Sequence, residues 1–153
     1  MTTLQTSTPP RLRIQRLSPL AVIPAYQSAG AAGLDLHAAI ETAVALTPGA
    51  IVVIPCGFAM ALPVGLEAQV RPRSGLASRH GITLPNAPGT IDADYRGEVK
   101  IPLINLGAAA FTVEPQMRIA QMVIAPVVQC VVEEHATLET TVRGAGGFGS
   151  TGH

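Results

Sequence analysis

Short apolar runs, each stopped by a glycine or a proline, are the material this chain has to fold with. Ile51-Val52-Val53-Ile54 ends at Pro55, and Phe58-Ala59-Met60-Ala61-Leu62 lies between Gly57 and Pro63. Leu66 to Val70, Val99 to Leu106, and Ile119 to Ile124 with Val127 to Val132 have the same make-up, while Leu12 to Leu17 alternates loosely between apolar and polar residues. Runs of this length, rich in β-branched residues and bounded by turn formers, predict strands. Pro102 inside one of them predicts an edge or a bulge at that point. The helical candidate is the stretch after Ser74, from Gly75 to His80. Many short strands with frequent turns predict an all-β jelly roll, sandwich or barrel. At 153 residues and 48% hydrophobic content, one domain with a sizeable core is expected. Its body spans 11–138, between a loose polar arm at 1–10 and a glycine-rich arm at 139–153.

Ten basic and ten acidic residues cancel, so no broad field exists to hold a nucleic-acid duplex or an anionic membrane. A polyanion bound here has to be small and locally held. Nine of the ten basic residues are arginine, with Lys100 the exception. Either planar bidentate contacts or genomic base composition accounts for that bias. Cys56 and Cys130 are far apart, flanked by apolar residues and without ligand spacing, which predicts two buried free thiols in a reducing compartment. His37, His80 and His135 are dispersed, and structural or exposed positions are expected for them. Met1 to Pro10 is polar and carries no run of signal-peptide or membrane-spanning length, so a cytoplasmic protein without a membrane partner is expected.

Five segments carry chemistry. In Ala31-Ala32-Gly33-Leu34-Asp35-Leu36 a carboxylate sits in an apolar strand, where Asp35 needs a partner if buried, or else serves as a turn or capping residue. In Arg71-Pro72-Arg73-Ser74-Gly75-Leu76-Ala77 a strand runs into the short helix. Arg73, Ser74 and Gly75 would there meet a phosphate with a guanidinium, a hydroxyl and exposed amides; ordinary capping by Ser74 with Arg73 in water is the plainer reading. Asn86 to Glu98 reads as a β-hairpin with its turn signal at Pro88-Gly89. Its carboxylates Asp92 and Asp94, with Tyr95 and Asn86, would read a base and activate a water, or simply stand in solvent. In Arg118-Ile119-Ala120-Gln121-Met122, Gln121 lies inside an apolar strand, where an unpaired amide costs about 1–3 kcal/mol, so a dedicated partner is expected. The tail from Arg143 to His153 holds five glycines, Phe148, Ser150 and Thr151. It has the make-up of a lid over a nucleotide, or of a disordered terminus.

In their order and spacing these segments resemble the motifs of the trimeric deoxyuridine triphosphatase (dUTPase) family, over a stretch from about Ile23 to Gly152. The resemblance implies a jelly-roll-like distorted β-barrel and a homotrimer whose active sites are assembled from three chains, the C-terminal arm of one closing the site of another. It implies Mg2+-dependent hydrolysis of dUTP to dUMP and pyrophosphate by attack of water on the α-phosphorus, which keeps uracil out of DNA and supplies dUMP for dTMP synthesis. Asp92 would be the general base; spacing alone does not choose it over Asp94. Tyr95 would lie against the deoxyribose and exclude a 2′-hydroxyl. Asn86 and the hairpin from Thr90 and Ile91 to Lys100 would pair with the uracil edge. Arg73, Ser74 and Gly75 would hold phosphate, and Gln121 would contact the α-phosphate region near the attacking water. Arg143, Ser150 and Thr151 would engage the terminal phosphate while Phe148 stacks on uracil, and Gly149 would also bind substrate. Asp35 would organise the phosphate and metal region from behind, with Mg2+ itself held by triphosphate oxygens and no direct protein ligand.

Three rivals stand beside this reading. A dCTP deaminase on the same fold would read a cytosine edge, but the hairpin keeps the dUTPase pattern with its tyrosine. A non-catalytic nucleotide sensor would be favoured by loss of Asp92 or of the arm, and both are present. An inert jelly roll would leave Asp35, Tyr95, Gln121 and the tail unrelated.

Overall fold

The computed structural model describes residues 9–147. Ten strands and one helix follow in chain order: β1 Arg13–Arg16, β2 Leu34–His37, β3 Val44–Leu46, β4 Ile51–Ala61, β5 Leu66–Pro72, α1 Ser74–His80, β6 Ile82–Thr83, β7 Gly89–Ile91, β8 Glu98–Asn105, β9 Phe111–Val113 and β10 Arg118–Pro126. They form two four-stranded sheets, ordered β1-β4-β8-β6 and β2-β10-β5-β7, and a β3-β9 ribbon. Every ladder is antiparallel. The expected all-β body is therefore present, and its consecutive strands cross between sheets as in a jelly roll.

Alternation builds the core. Leu34 and Leu36 of β2, Ala68 and Val70 of β5, and Ala120 and Met122 of β10 are buried from one sheet, and Ile54, Phe58, Val99, Ile101 and Leu103 from the other. Fully burying a side chain the size of Phe58 contributes roughly 1.5–3 kcal/mol. Ile51–Ile54 and Phe58–Leu62, expected as separate strands, are one strand, β4, with a register shift against β8 between Pro55 and Ala59. Gly57 makes that irregularity possible. Its φ is +72°, and a Cβ there would lie 2.9 Å from the Ala39 side chain. Its carbonyl accepts the N–H groups of Leu17 and Ser18 at 2.8 and 3.0 Å, which fastens the N-terminal segment across the strand. Pro102 lies where β8 has β4 on one flank only, since β6 reaches just Ile104 and Asn105.

Two expectations are corrected here. The Asn86–Glu98 segment is not a self-paired hairpin: β7 joins β5 in one sheet while β8 joins β4 and β6 in the other. Side chains on diverging arms bury against different layers, and that burial outweighs local pairing. Val127 to Val132 forms no strand, and Val128, Val131 and Val132 are more than four-fifths exposed. Apolar composition permits a strand, but among the described residues only the Val127 N–H, on the Gly65 carbonyl at 2.9 Å, finds backbone to pair with. Cys130 is consequently exposed, not buried as expected, whereas Cys56 is buried. Burial, with Glu98 nearby, pushes the Cys56 thiol up to about 12, so it stays protonated and inert.

Candidate active site

The sheet β2-β10-β5-β7 sets the polar residues in rows. Gln121 on β10 pairs in register with Asp35 on one side and Arg71 on the other. The Asp35 side chain is 14% exposed and divides its carboxylate between two guanidiniums, with Oδ1 3.3 Å from Arg73 Nε and Oδ2 3.2 Å from Arg118 Nη1. Asp35 is thus a partnered half-buried acid, and the turn or capping alternative falls away. Gln121 has its dedicated partner too: Nε2 donates to the Pro72 carbonyl at 3.0 Å. Its Oε1 lies against Gly33, where a Cβ would stand only 2.8 Å away.

At the end of β5 the backbone turns directly into α1. Arg73 occupies the N-cap with extended backbone and makes no side-chain cap bond. Ser74 is therefore the first helical residue, not the cap, and among the described residues its hydroxyl makes no hydrogen bond. The N–H groups of Leu76 and Ala77 bond the Arg73 carbonyl at 3.1 and 3.0 Å, leaving those of Ser74 and Gly75 for a ligand. Arg73 Nη1 donates to the Arg118 carbonyl at 3.2 Å. Asp35, Arg73, Ser74, Gly75 and Gln121 converge, with Leu76, Arg79 and His80, on a cleft of about 500 Å3. Two guanidiniums, a free hydroxyl and free amides facing one already neutralised carboxylate suit an anion.

A second cleft, of about 200 Å3, is lined by Thr90, Ile91, Asp92, Tyr95, Glu98, Val99 and Lys100. The loop that carries it is closed locally. The Tyr95 N–H bonds the Asp92 carbonyl at 3.2 Å, the Tyr95 hydroxyl donates to the Glu98 carbonyl at 3.0 Å, and Arg96 donates to the carbonyls of Ala93 and Tyr95. The Tyr95 ring covers Gly97 so closely that a Cβ on Gly97 would collide with it. Glu98 anchors the loop from below, accepting the Gly57 N–H at 3.1 Å and lying 3.6 Å from Lys100 Nζ. Asp94 does not line this cleft; Asp92 does.

The two clefts sit at opposite ends of β5. Ile91 pairs with Ala68 near the start of that strand, and Arg73 follows its end. At about 3.3 Å per residue, Asp92 and Arg73 are separated by roughly 20 Å within one chain. Asn86 is exposed and outside both linings, its amide packed toward Gly89. Arg143 is also outside both, in a turn where its Nε donates to the Gly146 carbonyl at 2.8 Å. Phe148, Gly149, Ser150 and Thr151 lie outside the described residues. Arg118, Arg79, His80 and Glu98 are contributors that sequence reasoning gave no role. Arg118 and Glu98 stand inside the quoted motifs, and that adjacency was their signal. His37, beside Asp35 on β2, has its pKa lowered, first by burial, with Asp35 opposing and Arg118 and Arg73 adding to the shift. Among the described residues its Nδ1 is buried without a hydrogen-bond partner.

An all-β body with a cationic cleft at one end of a sheet and a carboxylate-bearing loop at the other defines a protein that handles a small anionic ligand. The family model described as dUTPase matches residues 20–152. The deoxyuridine 5'-triphosphate nucleotidohydrolase of Rhizobium leguminosarum bv. trifolii is 63% identical over 132 residues, covering 85% of each chain. That of Rhizobium etli is 56% identical over 154 residues, covering 98% of this chain and 99% of its own. Among solved structures, the Staphylococcus bacteriophage 80alpha dUTPase with dUpNHpp superposes with a TM-score of 0.85 at 26% identity, covering 94% of this chain and 99% of that one. The chain belongs to the dUTPase family, and it is a nucleotide hydrolase that acts on dUTP.

Proposed function

We propose that this chain converts dUTP to dUMP and pyrophosphate with Mg2+, at sites shared between the subunits of a homotrimer. The observation that carries the shared site is the roughly 20 Å separation of Asp92 from Arg73 along β5, too long for one α-phosphorus to meet both within one chain. A second copy has to bring its Asp92 loop to the Arg73 cleft of the first. The chain leaves apolar surface for such packing. Ile51 and Val53 are 56% and 55% exposed on the outer face of β4, opposite Ile104 and Pro102. Val128, Val131, Val132, Leu138 and Val142 stand exposed along the segment that leads to the C-terminal arm.

In this reading Arg73, Ser74 and the Ser74 and Gly75 amides bind the phosphates, and Gln121, fixed by Pro72, contacts the α-phosphate region. Asp92 of a neighbouring subunit accepts a proton as water oxygen bonds to the α-phosphorus and the bond to the bridging oxygen breaks, releasing pyrophosphate. Lining of the cleft by Asp92 and not Asp94 supports that assignment. Tyr95, held by its bond to Glu98, presents a wall to a ribose 2′-hydroxyl. The Thr90–Lys100 backbone reads the uracil edge, with Asn86 as a further contact once the loop closes on substrate. Arg143, Phe148, Gly149, Ser150 and Thr151 belong to an arm, from about 139, that covers a neighbour's site over a body from 11 to about 138.

Among the described residues no group of three or more His, Cys, Asp or Glu is placed to hold a metal, and both Asp35 oxygens are already engaged. That donor set fits Mg2+ carried on triphosphate oxygens, with Asp35 acting through Arg73. When bound there, the ion neutralises phosphate charge and polarises the phosphoryl group. Among the described residues no helix is long and apolar enough to cross a membrane, and the balanced charge fits a chain without a nucleic-acid or membrane-surface partner; a cytoplasmic location belongs to the same proposal.

Mixing two inactive variants tests the reading. Asp92→Asn and Arg73→Met chains should each release almost no pyrophosphate from dUTP. Unfolded together at equal amounts and refolded, they should recover about a quarter of wild-type activity, because random assembly reunites intact residues across subunits in that share of sites. No recovery from a refolded mixture of trimers would refute the shared site, and near-normal turnover by Asp92→Asn alone would remove it as the base.

A further inference from the structure

Arg118 opens β10 with a half-exposed side chain, and it does not line the cleft that Asp35 and Arg73 line. Its reach is toward Asp35. Nη1 takes Oδ2 at 3.2 Å, while the other carboxylate oxygen meets Arg73 Nε at 3.3 Å. The Arg118 backbone carbonyl meanwhile accepts from Arg73 Nη1 at 3.2 Å. One residue therefore holds the phosphate-facing arginine twice, by its own carbonyl and through the shared carboxylate.

The division of the carboxylate matters because the favoured arrangement for an isolated arginine and aspartate is a bidentate fork, with two parallel N–H to oxygen bonds. A closed fork between Arg73 and Asp35 would commit guanidinium donors to the protein that a phosphate needs. In the structure that fork is not formed: Oδ2 is turned to Arg118 and Arg73 meets Oδ1 alone. Arg73 keeps a single contact to Oδ1 through Nε and gives Nη1 to the Arg118 carbonyl, and among the described residues Nη2 has no hydrogen-bond partner at the cleft that Arg73 lines. One carboxylate facing two guanidiniums offsets the charge of only one of them, so net positive charge is left for the ligand.

We infer that Arg118 is a positioning residue for dUTP hydrolysis, which keeps Asp35 from closing on Arg73 and so leaves Arg73 free to bind phosphate. This rests on the reading of Arg73 as a phosphate ligand. The inference makes the role of Arg118 conditional on Asp35, and it needs one donor at Oδ2 where a lysine ammonium would also serve.

The test is a double-mutant cycle on the full chain, with kcat and KM for dUTP measured for Arg118→Met, Arg118→Lys, Asp35→Asn, Asp35→Asn with Arg118→Met, and Arg73→Met, each checked for an unchanged assembly by sedimentation. Arg118→Met should raise KM about tenfold with a smaller change in kcat. Arg118→Lys should return KM to within about threefold of wild type, and adding Arg118→Met to Asp35→Asn should change KM less than twofold, because the two residues act as one unit. An Arg118→Met loss of the same size with and without Asp35, or no loss at all, overturns the inference. An Arg73→Met variant with wild-type KM would instead overturn the phosphate-binding reading on which it stands.

Discussion

Gly33 shows how tightly a single atom can bear on this site. No left-handed backbone requires glycine there; the requirement comes from Gln121, whose Oε1 would lie only 2.8 Å from a Cβ. The amide tip is the movable end of a flexible side chain, so Gly33→Ala should displace it without breaking the sheet. We expect the melting temperature to change by no more than about 2 °C while kcat falls about tenfold. Calorimetry and steady-state kinetics on the same preparation check both. Unchanged kcat would mean that the placement of the Gln121 amide does not matter to the chemistry. The polar pair Asp35 and Gln121 could be picked out in the sequence, because a carboxylate or an amide among leucines and isoleucines has to be accounted for. Their partners could not. Arg118 is 83 residues from Asp35, and the Pro72 carbonyl is a backbone atom that any residue would supply.

At the scale of elements, the ends of the short ones are held by groups outside them. The helix α1 has only seven residues, too few to stand alone. It is closed at its C-terminus by Gly81 at φ +68°, whose N–H bonds the Ala77 carbonyl at 3.0 Å. A Cβ on Gly81 would sit 2.5 Å from the Gly107 nitrogen, so the turn after β8 packs directly on the helix that offers Ser74 and Gly75. Asn105 at the end of β8 holds that turn. It is fully buried, donates from Nδ2 to the carbonyls of Leu46 and Ala109 at 2.8 Å each, and accepts the Gly107 N–H at 2.8 Å. Asn105→Leu would keep the branching of the side chain, in a somewhat larger form, and orphan all three backbone groups. It should destabilise the fold by about 3 kcal/mol, read from urea unfolding. A loss below about 0.5 kcal/mol would show that water satisfies those groups instead.

For the whole molecule, the geometry of β5 governs the rest, since it carries the anion cleft at one end and borders the Asp92 loop at the other. On the proposed reading, a site split in this way ties activity to assembly. Placing a charge on the apolar outer face of β4 should separate the two: Val53→Asp faces outward beside Pro102 and removes nothing from the core. We expect its sedimenting mass to fall about threefold together with loss of dUTP hydrolysis, while its circular dichroism stays that of a folded β protein. A fully active variant of wild-type mass would place the subunit contact elsewhere.

The sequence by itself determined the class of the fold, the boundaries of most long strands and the residue types of the site, because alternation, turn formers and isolated polar residues act over a few positions. It also carried enough ordered motif to place the chain in its family. Only the tertiary structure decided what depends on distant partners. It assigned β7 and β8 to different sheets, merged two apolar runs into β4, and left Val127 to Val132 and Cys130 in solvent for want of a strand beside them. It also divided the Asp35 carboxylate between Arg73 and Arg118, and set Asp92 far from the arginine-lined cleft of its own chain. Each of these is a choice among pairings that local propensity leaves nearly equal, and the burial of apolar faces against particular neighbours selects one of them.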